Sequence, residues 1–437
     1  QVRGLRSLLE RFASNQLSPM KWALVKVSHG EVCRILGDHA PVQASCRGAM
    51  SVLDQLPATP ERQVLYAKAC RNLGLALQYE KPQEALEWLQ RGMAKLEGLP
   101  PTAPGAAPES GLIQLHCGSL QIALGEFDAA REAVEAAIGQ LAPQEEFLLA
   151  SAYRNLGAIY SYQGDFGEAT RYNKLSLAIS RRLHDDLNAL AVLNNMGIDK
   201  EIVGDWQGAA ADYAEAVRLA HQLESVVDQA RIGNSLAILN IRRGYFDAAG
   251  QALTHAIGIA REHSIDEGLM YLLHTYAELD LARQDWDAAG QALAEAERLA
   301  GDLDAPYVMV EVLTSQAQLE LARGEAATSL ASVQRALELA DELELEIEKG
   351  KALRVLGQVQ VALGDTGAGL AAFALSLELL ADEPYEAART QAAWGAVLRA
   401  TGDGLGVTLL ETACQTFADL GAQRDHDGAN ALLEASS

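Results

Sequence analysis

The sequence predicts an all-α fold: a right-handed α-solenoid superhelix of about ten helical hairpins with a 40-residue period. Three observations predict it. A turn glycine recurs as Gly125, Gly164, Gly204, Gly244, Gly324, Gly364 and Gly402, with Gln284 in the one gap, and the step from 164 to 364 is 40 residues each time. Seven residues before each turn position stands a small residue: Gly118, Gly157, Gly197, Ala237, Ala277, Ala317, Gly357 and Gly395. Two residues after it comes an aromatic (Phe127, Phe166, Trp206, Phe246 or Trp286), and five after it an alanine (Ala130, Ala169, Ala209, Ala249 or Ala289). The stretch Leu156 to Ala169 shows the logic of one unit. Leu156 and Tyr160 share a helical face, and Gly157 between them lets a second helix approach. Gly164 turns the chain, and Phe166 and Ala169 open the returning helix.

The elements follow in order. Gly4 to Phe12 reads as a short leading helix, broken over Asn15 to Pro19, with Ser18 as cap and Pro19 at the first helical position. Met20 to Leu36 and Pro41 to Leu56 form the first hairpin around the pair Gly30 and Gly37. Arg62 to Tyr79 and Gln83 to Leu96 form the second, so residues 1–96 hold the leading helix and two hairpins. Residues 97–108 hold four prolines and two glycines and read as a surface loop inside the array. Regular hairpins occupy 109–421, beginning with Leu112 to Leu124 and ending with Pro384 to Leu420. Residues 422–437 form a polar tail, in which Gly428 to Ala435 is helical and caps the open end.

Composition bounds the function. Half the residues are hydrophobic and aromatics are few, which suits helices packed through small residues. The net charge of −24 argues against direct nucleic-acid binding and against anionic membranes. No apolar run approaches the roughly 18 residues of a membrane span, and no signal peptide opens the chain. Five scattered cysteines with no C-x-x-C point to buried thiols in a reducing, cytoplasmic setting. A chain that starts at Gln1 rather than Met reads as a fragment or a processed product.

The order and spacing Leu156-Gly157-x-x-Tyr160, then Gly164, then Ala169 resemble the tetratricopeptide repeat (TPR). The long units, with Asn194-Asn195-Met196-Gly197, Ala336 to Ala340 and Ala413 to Ala422, resemble the MalT-like sensor regions of STAND signal-transduction ATPases. That resemblance implies the C-terminal sensor arm of a bacterial regulator, with a nucleotide-binding module elsewhere in the full-length parent. A freestanding TPR scaffold or adaptor is the alternative. The chain itself contains no G-x-x-x-x-G-K-[ST], and neither G-x-S-x-G nor H-E-x-x-H. His184-Asp185-Asp186 reads as a helix end with its caps, and no second ligand pair has metal spacing. No catalytic, cofactor or metal site is expected, and the chain is not expected to be an enzyme.

The resemblance implies that the first helix of each hairpin lines a concave groove. Two and three residues before the small residue, polar side chains recur: Arg71, Asn72, Arg154, Asn155, Asn194, Asn195, Asn234, His274 and Arg354, with Arg231 six before. Lys68, Lys351 and Arg389 share that last position, while Glu201 and Glu311 are acidic exceptions on the same broad face. These ten candidates predict an amide-rich, mildly basic groove in an acidic protein, for an extended peptide, a protein or a small anionic ligand. The stripe is expected to be centred on repeats four to seven. On that reading Arg154→Ala with Asn195→Ala weakens binding about a hundredfold.

Overall fold

The computed structural model describes residues 2–13, 17–100, 102–141 and 145–434, and among these there are 22 α-helices and no strand. The chain divides into two compact units, Gln1–Asn195 and Met196–Ser437.

The first unit opens with α1 (Val2–Ala13) and continues in hairpins. These are α2 (Pro19–Ile35) with α3 (His39–Leu53), α4 (Pro60–Leu77) with α5 (Pro82–Leu96), α6 (Ala106–Ala123) with α7 (Phe127–Gln140), and α8 (Glu146–Tyr162) with α9 (Phe166–Leu183). Helix α10 (Asp186–Ile202) carries the division within it. In the second unit α11 (Trp206–Gln222) is followed by α12 (Val226–Arg242) with α13 (Phe246–Glu262), α14 (Asp266–Arg283) with α15 (Trp286–Asp302), and α16 (Pro306–Ala322) with α17 (Ala326–Glu342). Then come α18 (Glu346–Ala362) with α19 (Thr366–Leu379), α20 (Pro384–Ala400) with α21 (Leu405–Leu420), and α22 (Gln423–Glu434). With α10 and α11 as a pair, the described residues form ten hairpins, as the repeat count predicts.

The turn glycines do what the spacing requires. Gly125, Gly164, Gly204, Gly244, Gly324, Gly364 and Gly402 all have φ between 76° and 92°, and Gln284 takes the same left-handed conformation at 63°. The N–H after each turn residue reaches back to a carbonyl five residues earlier, as Asp165 to Tyr160 and Asp285 to Asp280, both at 2.9 Å, satisfying helix ends. A second left-handed series, also at a 40-residue step, closes the outer helices: His184, Glu224, Ser264, Asp304 and Glu344. His184 thus ends α9, and the Asp185 carboxylate accepts from the Asn188 N–H at 3.1 Å, the cap expected there.

The small residues mark where paired helices touch. A Cβ on Gly157 would lie 2.2 Å from Asn173 Oδ1, on Gly197 2.5 Å from the Tyr213 ring and on Gly357 2.7 Å from the Phe373 ring. Each blocking residue stands sixteen positions on, and the same offset puts Leu253, Leu293 and Val333 opposite Ala237, Ala277 and Ala317. At Gly197 and Gly357 the glycine makes room for an aromatic ring where Ala237 and Ala277 stand opposite leucines, a trade of volume between the two helices; Gly118 departs from it, facing Val134.

Several boundaries differ from the sequence reading. The loop expected over 97–108 is shorter, because α6 already begins at Ala106. Pro108 fits in the first turn, where its missing N–H has no helical partner to lose. Likewise α4 starts at Pro60 under a Thr59 cap, and α3 ends at Leu53 rather than Leu56. Pro19 begins α2 after Ser18, although the Ser18 side chain makes no capping bond. The last helix runs from Gln423, earlier than Gly428. The break at Asn15 and the end at Ala435 lie outside the described residues. Cys33, Cys46, Cys70 and Cys117 are buried and Cys414 is partly so, all as free thiols. No helix among the described residues is long and apolar enough to cross a membrane.

One buried group in α14 costs stability. Asp280 is 4 % exposed, and its Oδ2 makes no hydrogen bond. Burial, with Asp285 nearby, pushes its carboxyl up to about 6. A carboxyl raised in the folded state binds its proton more tightly there, so stability falls as pH rises from about 4 towards 6. Asp280→Asn is expected to raise stability at pH 7.5 by roughly 1–2 kcal/mol and to flatten that slope. Urea denaturation of both proteins at pH 4.5 and 7.5 measures it.

Candidate functional site

The inner helices of the second unit are apolar on one side and polar on the other. In α14, for example, Leu272, Leu273 and Ala277 join the core, while Tyr271, His274 and Glu278 face a cavity of about 920 Å³. Helices α12, α14, α16, α18 and α20 present their polar sides to this cavity, and α22 lines its remaining wall through Arg424, Asp425 and Leu432.

The unit curls so that its last helices return to its first turns. Leu420 lies over Gly204, and Arg424 sits 5.2 Å from the Phe246 ring centroid. Tyr385 is the pivot: its ring packs edge-on against Trp206 at 5.2 Å and Phe417 at 6.0 Å, and its hydroxyl donates to Asp425 at 2.6 Å.

The cavity's charges are balanced, not mildly basic as the sequence suggests. Arg242, Lys351, Arg354, Arg389 and Arg424 meet Glu278, Glu311, Glu348, Glu386 and Asp425. Arg354 donates to Glu386 at 2.7 Å, and Arg389 lies 3.4 Å from the same carboxylate. Glu386 is buried, which alone would raise its pKa, but Arg354 and Arg389 prevail and hold it well below the usual carboxylate range. Arg242 is taken up by Glu201 at 2.7 Å, which also accepts from the Tyr213 hydroxyl. The balance was hidden in the sequence because Glu278, Glu348 and Glu386 fall at helix positions other than the recurrent polar ones.

The ten candidate positions divide by unit. In the second, Asn234, His274 and Arg354 line the cavity together with Thr314 and Ser315. His274 Nε2 lies 3.0 Å from Ser315 Oγ, and Asn234 Oδ1 has no hydrogen-bond partner. Arg231 is exposed and pairs with Asp228 at 3.1 Å, outside the cavity lining. In the first unit the candidates tie helices together. Buried Arg71 donates to buried Glu109 at 2.7 Å, and fully buried Asn72 points its amide at the Val27 carbonyl. Arg154 donates to Asn188 at 2.7 Å and Asn155 to Ser119 at 2.8 Å. Asn194 is buried with its Oδ1 unpaired, and Asn195 is half-buried. Sequence reasoning missed Tyr271, Tyr307 and Tyr385. Tyr271 occupies the position six before the small residue, and the other two tyrosines precede theirs by ten, a register that becomes visible once the inner face is known. No group of three or more His, Cys, Asp or Glu residues among those described could hold a metal ion.

Stacked hairpins with a cavity between their first helices define a TPR-type solenoid. The chain belongs to the MalT-like TPR region family, whose pattern it matches over residues 150–372. It is similar in fold to the apo form of RapI, with a TM-score of 0.66 and 13% identity over 82% of this chain and 97% of that one. The apo quorum sensor NprR from B. thuringiensis gives 0.58 and 12%, covering 81% and 97% of the two chains. A Rap protein complexed with competence and sporulation factor gives 0.56 and 12%, covering 83% and 100%. No curated protein matches the sequence.

Proposed function

We propose that the chain is a ligand-sensing, protein-interaction TPR region whose cavity in the second unit takes an extended peptide or a protein segment. We propose further that it is the C-terminal sensor arm of a bacterial, cytoplasmic STAND regulator, acting by binding rather than catalysis and without a cofactor of its own. The observation that carries the binding reading is the cavity, in which amides, hydroxyls and charges from the first helices of five successive hairpins converge. A row of such groups can pair with the N–H and C=O of an extended backbone at regular intervals. The Rap protein that shares the fold is itself complexed with competence and sporulation factor. Asn234, His274 and Arg354 are the candidates proposed to face the ligand. Attachment to a nucleotide-binding module rests on the family. A P-loop module encoded in the same reading frame would support it, and a frame without one would favour the freestanding scaffold.

Gln318 lines the cavity and is half-buried, so Gln318→Trp places a bulky ring inside it with little cost to the helix. A pentapeptide library titrated against wild type, Gln318→Trp and the outer-face variant Arg298→Ala tests the site. Binding is expected to fall at least a hundredfold in Gln318→Trp, about 2.7 kcal/mol, and to stay unchanged in Arg298→Ala. Equal binding by all three would place the site elsewhere.

A further inference from the structure

The charges of the cavity balance in number but not in pairing. Arg354 and Arg389 share Glu386, and Arg242 is held by Glu201. Lys351 lies 3.8 Å from Glu348. Glu278 and Glu311 are left without a hydrogen bond or salt bridge among the described residues. Arg424 makes no salt bridge among the described residues either and lies over the Phe246 ring, so two unpaired carboxylates stand against one unpaired guanidinium and the unspent charge is negative on balance.

That charge has a built setting. Glu311 holds in α16 the place that Tyr271 holds in α14, six before the small residue, Tyr307 precedes it by about one turn on its own helix, and all three line the cavity. Tyr271 is 36 % and Tyr307 41 % exposed, so their rings are open to a bound molecule. The Tyr307 hydroxyl donates to Glu348 at 3.4 Å. Thr275, only 2 % exposed, also lines the cavity, and its hydroxyl makes no hydrogen bond among the described residues. Burial raises the Glu311 carboxyl, with Glu278 and Glu348 adding to the rise and His274 and Lys351 opposing it. A half-buried carboxylate short of counter-charge, in a cavity wall shared with two exposed tyrosine rings, is the chemistry that receives an ammonium or guanidinium group.

We propose that the ligand carries a cationic amine or guanidinium, as the α-amine or a Lys or Arg side chain of a peptide, and that this group docks on Glu311, in the wall shared with Tyr271 and Tyr307, with Glu278 as the second counter-charge. This rests on the cavity being the binding site. It turns the expected ligand from an anion to a cation, because the basic groups that suggested an anion are already paired.

The test uses the full chain and pentapeptide pools fixed at each position as Lys, Arg, Asp, Glu or norleucine, with free or acetylated N-termini, read by fluorescence polarisation. The tightest pools are expected to carry a free α-amine, Lys or Arg. Acetylation or a Lys-to-norleucine change should weaken wild-type binding at least tenfold and binding to Glu311→Gln less than twofold. Circular dichroism and melting confirm the fold of Glu311→Gln, and Glu278→Gln provides a second variant expected to lose affinity for the same pools. If neutral or acidic pools bind as well as cationic ones and Gln318→Trp abolishes that binding, the cavity is the site and the cation preference is wrong. If no pool binds, or Gln318→Trp changes nothing, the cavity reading fails and the cation preference with it.

Discussion

Glu386→Gln is expected to cost the second unit about 3–5 kcal/mol at neutral pH, because it strips a buried guanidinium of its counter-charge. Glu386 is 7 % exposed and Arg354 4 %, and they meet at 2.7 Å. Glutamine keeps the shape but leaves Arg354, only 4 % exposed at the cavity wall, without its counter-charge. Its pKa sets the pH dependence. The folded carboxyl lies below its ordinary value of 4.5, so the stability it confers is present above about pH 4.5 and is lost as pH falls. The difference between wild type and Glu386→Gln should therefore shrink in acid. Arg354→Met added to Glu386→Gln should recover most of the loss, since an apolar side chain replaces the stranded charge. Denaturant melts of the three proteins at pH 7 and pH 3.5 give the comparison. A variant as stable as wild type at pH 7 would mean the pair contributes nothing to the second unit.

Phe373→Ala is expected to cost about 3–5 kcal/mol by opening a cavity against Gly357. Phe373 is fully buried, and its ring lies 2.7 Å from where a Cβ on Gly357 would stand. The two positions are coupled by volume. Gly357→Ala alone should destabilise by about 1–3 kcal/mol, because the ring has nowhere to go. In a Phe373→Leu background the same Gly357→Ala should be neutral or stabilising, since it recreates the Ala277 and Leu293 pairing found two units earlier. A double-mutant cycle measures the change of sign. Additive effects would show that residues sixteen apart do not share one packing site.

The repeat class and the turns were legible because they obey local rules. A left-handed turn favours glycine, and a close helix crossing demands a small side chain, whatever surrounds them. Gln284 could be placed without being glycine because seven neighbours established the step. The second left-handed series was not legible, since His184, Glu224, Ser264, Asp304 and Glu344 share no residue type that announces the conformation. Pro60 and Pro108 sit in the first turns of α4 and α6, where proline is harmless, and a proline there looks in sequence like one in the loop before it.

The candidate site was only partly legible. Of the ten candidate positions Asn234, His274 and Arg354 line the cavity, which runs along α12 to α20 rather than along repeats four to seven, and the other seven lie outside its lining. Whether an arginine there is free or spent depends on a partner from another helix, such as Glu201 for Arg242 or Glu386 for Arg354, thirty or more residues away. Arg71 and Arg154 carry the same pattern yet serve as ties between helices. Periodicity identifies a face, and pairing across repeats decides what that face can bind.

Amide hydrogen exchange of the full chain, with and without the tightest-binding pentapeptide at saturation, tests the central claim most directly. Occupied, the cavity should confer protection on α12, α14, α16 and α18, strongest around Tyr271 and Glu311, with the outer helices α13, α15 and α17 unchanged. Protection confined to the outer helices, with the inner helices unaffected, would contradict the account.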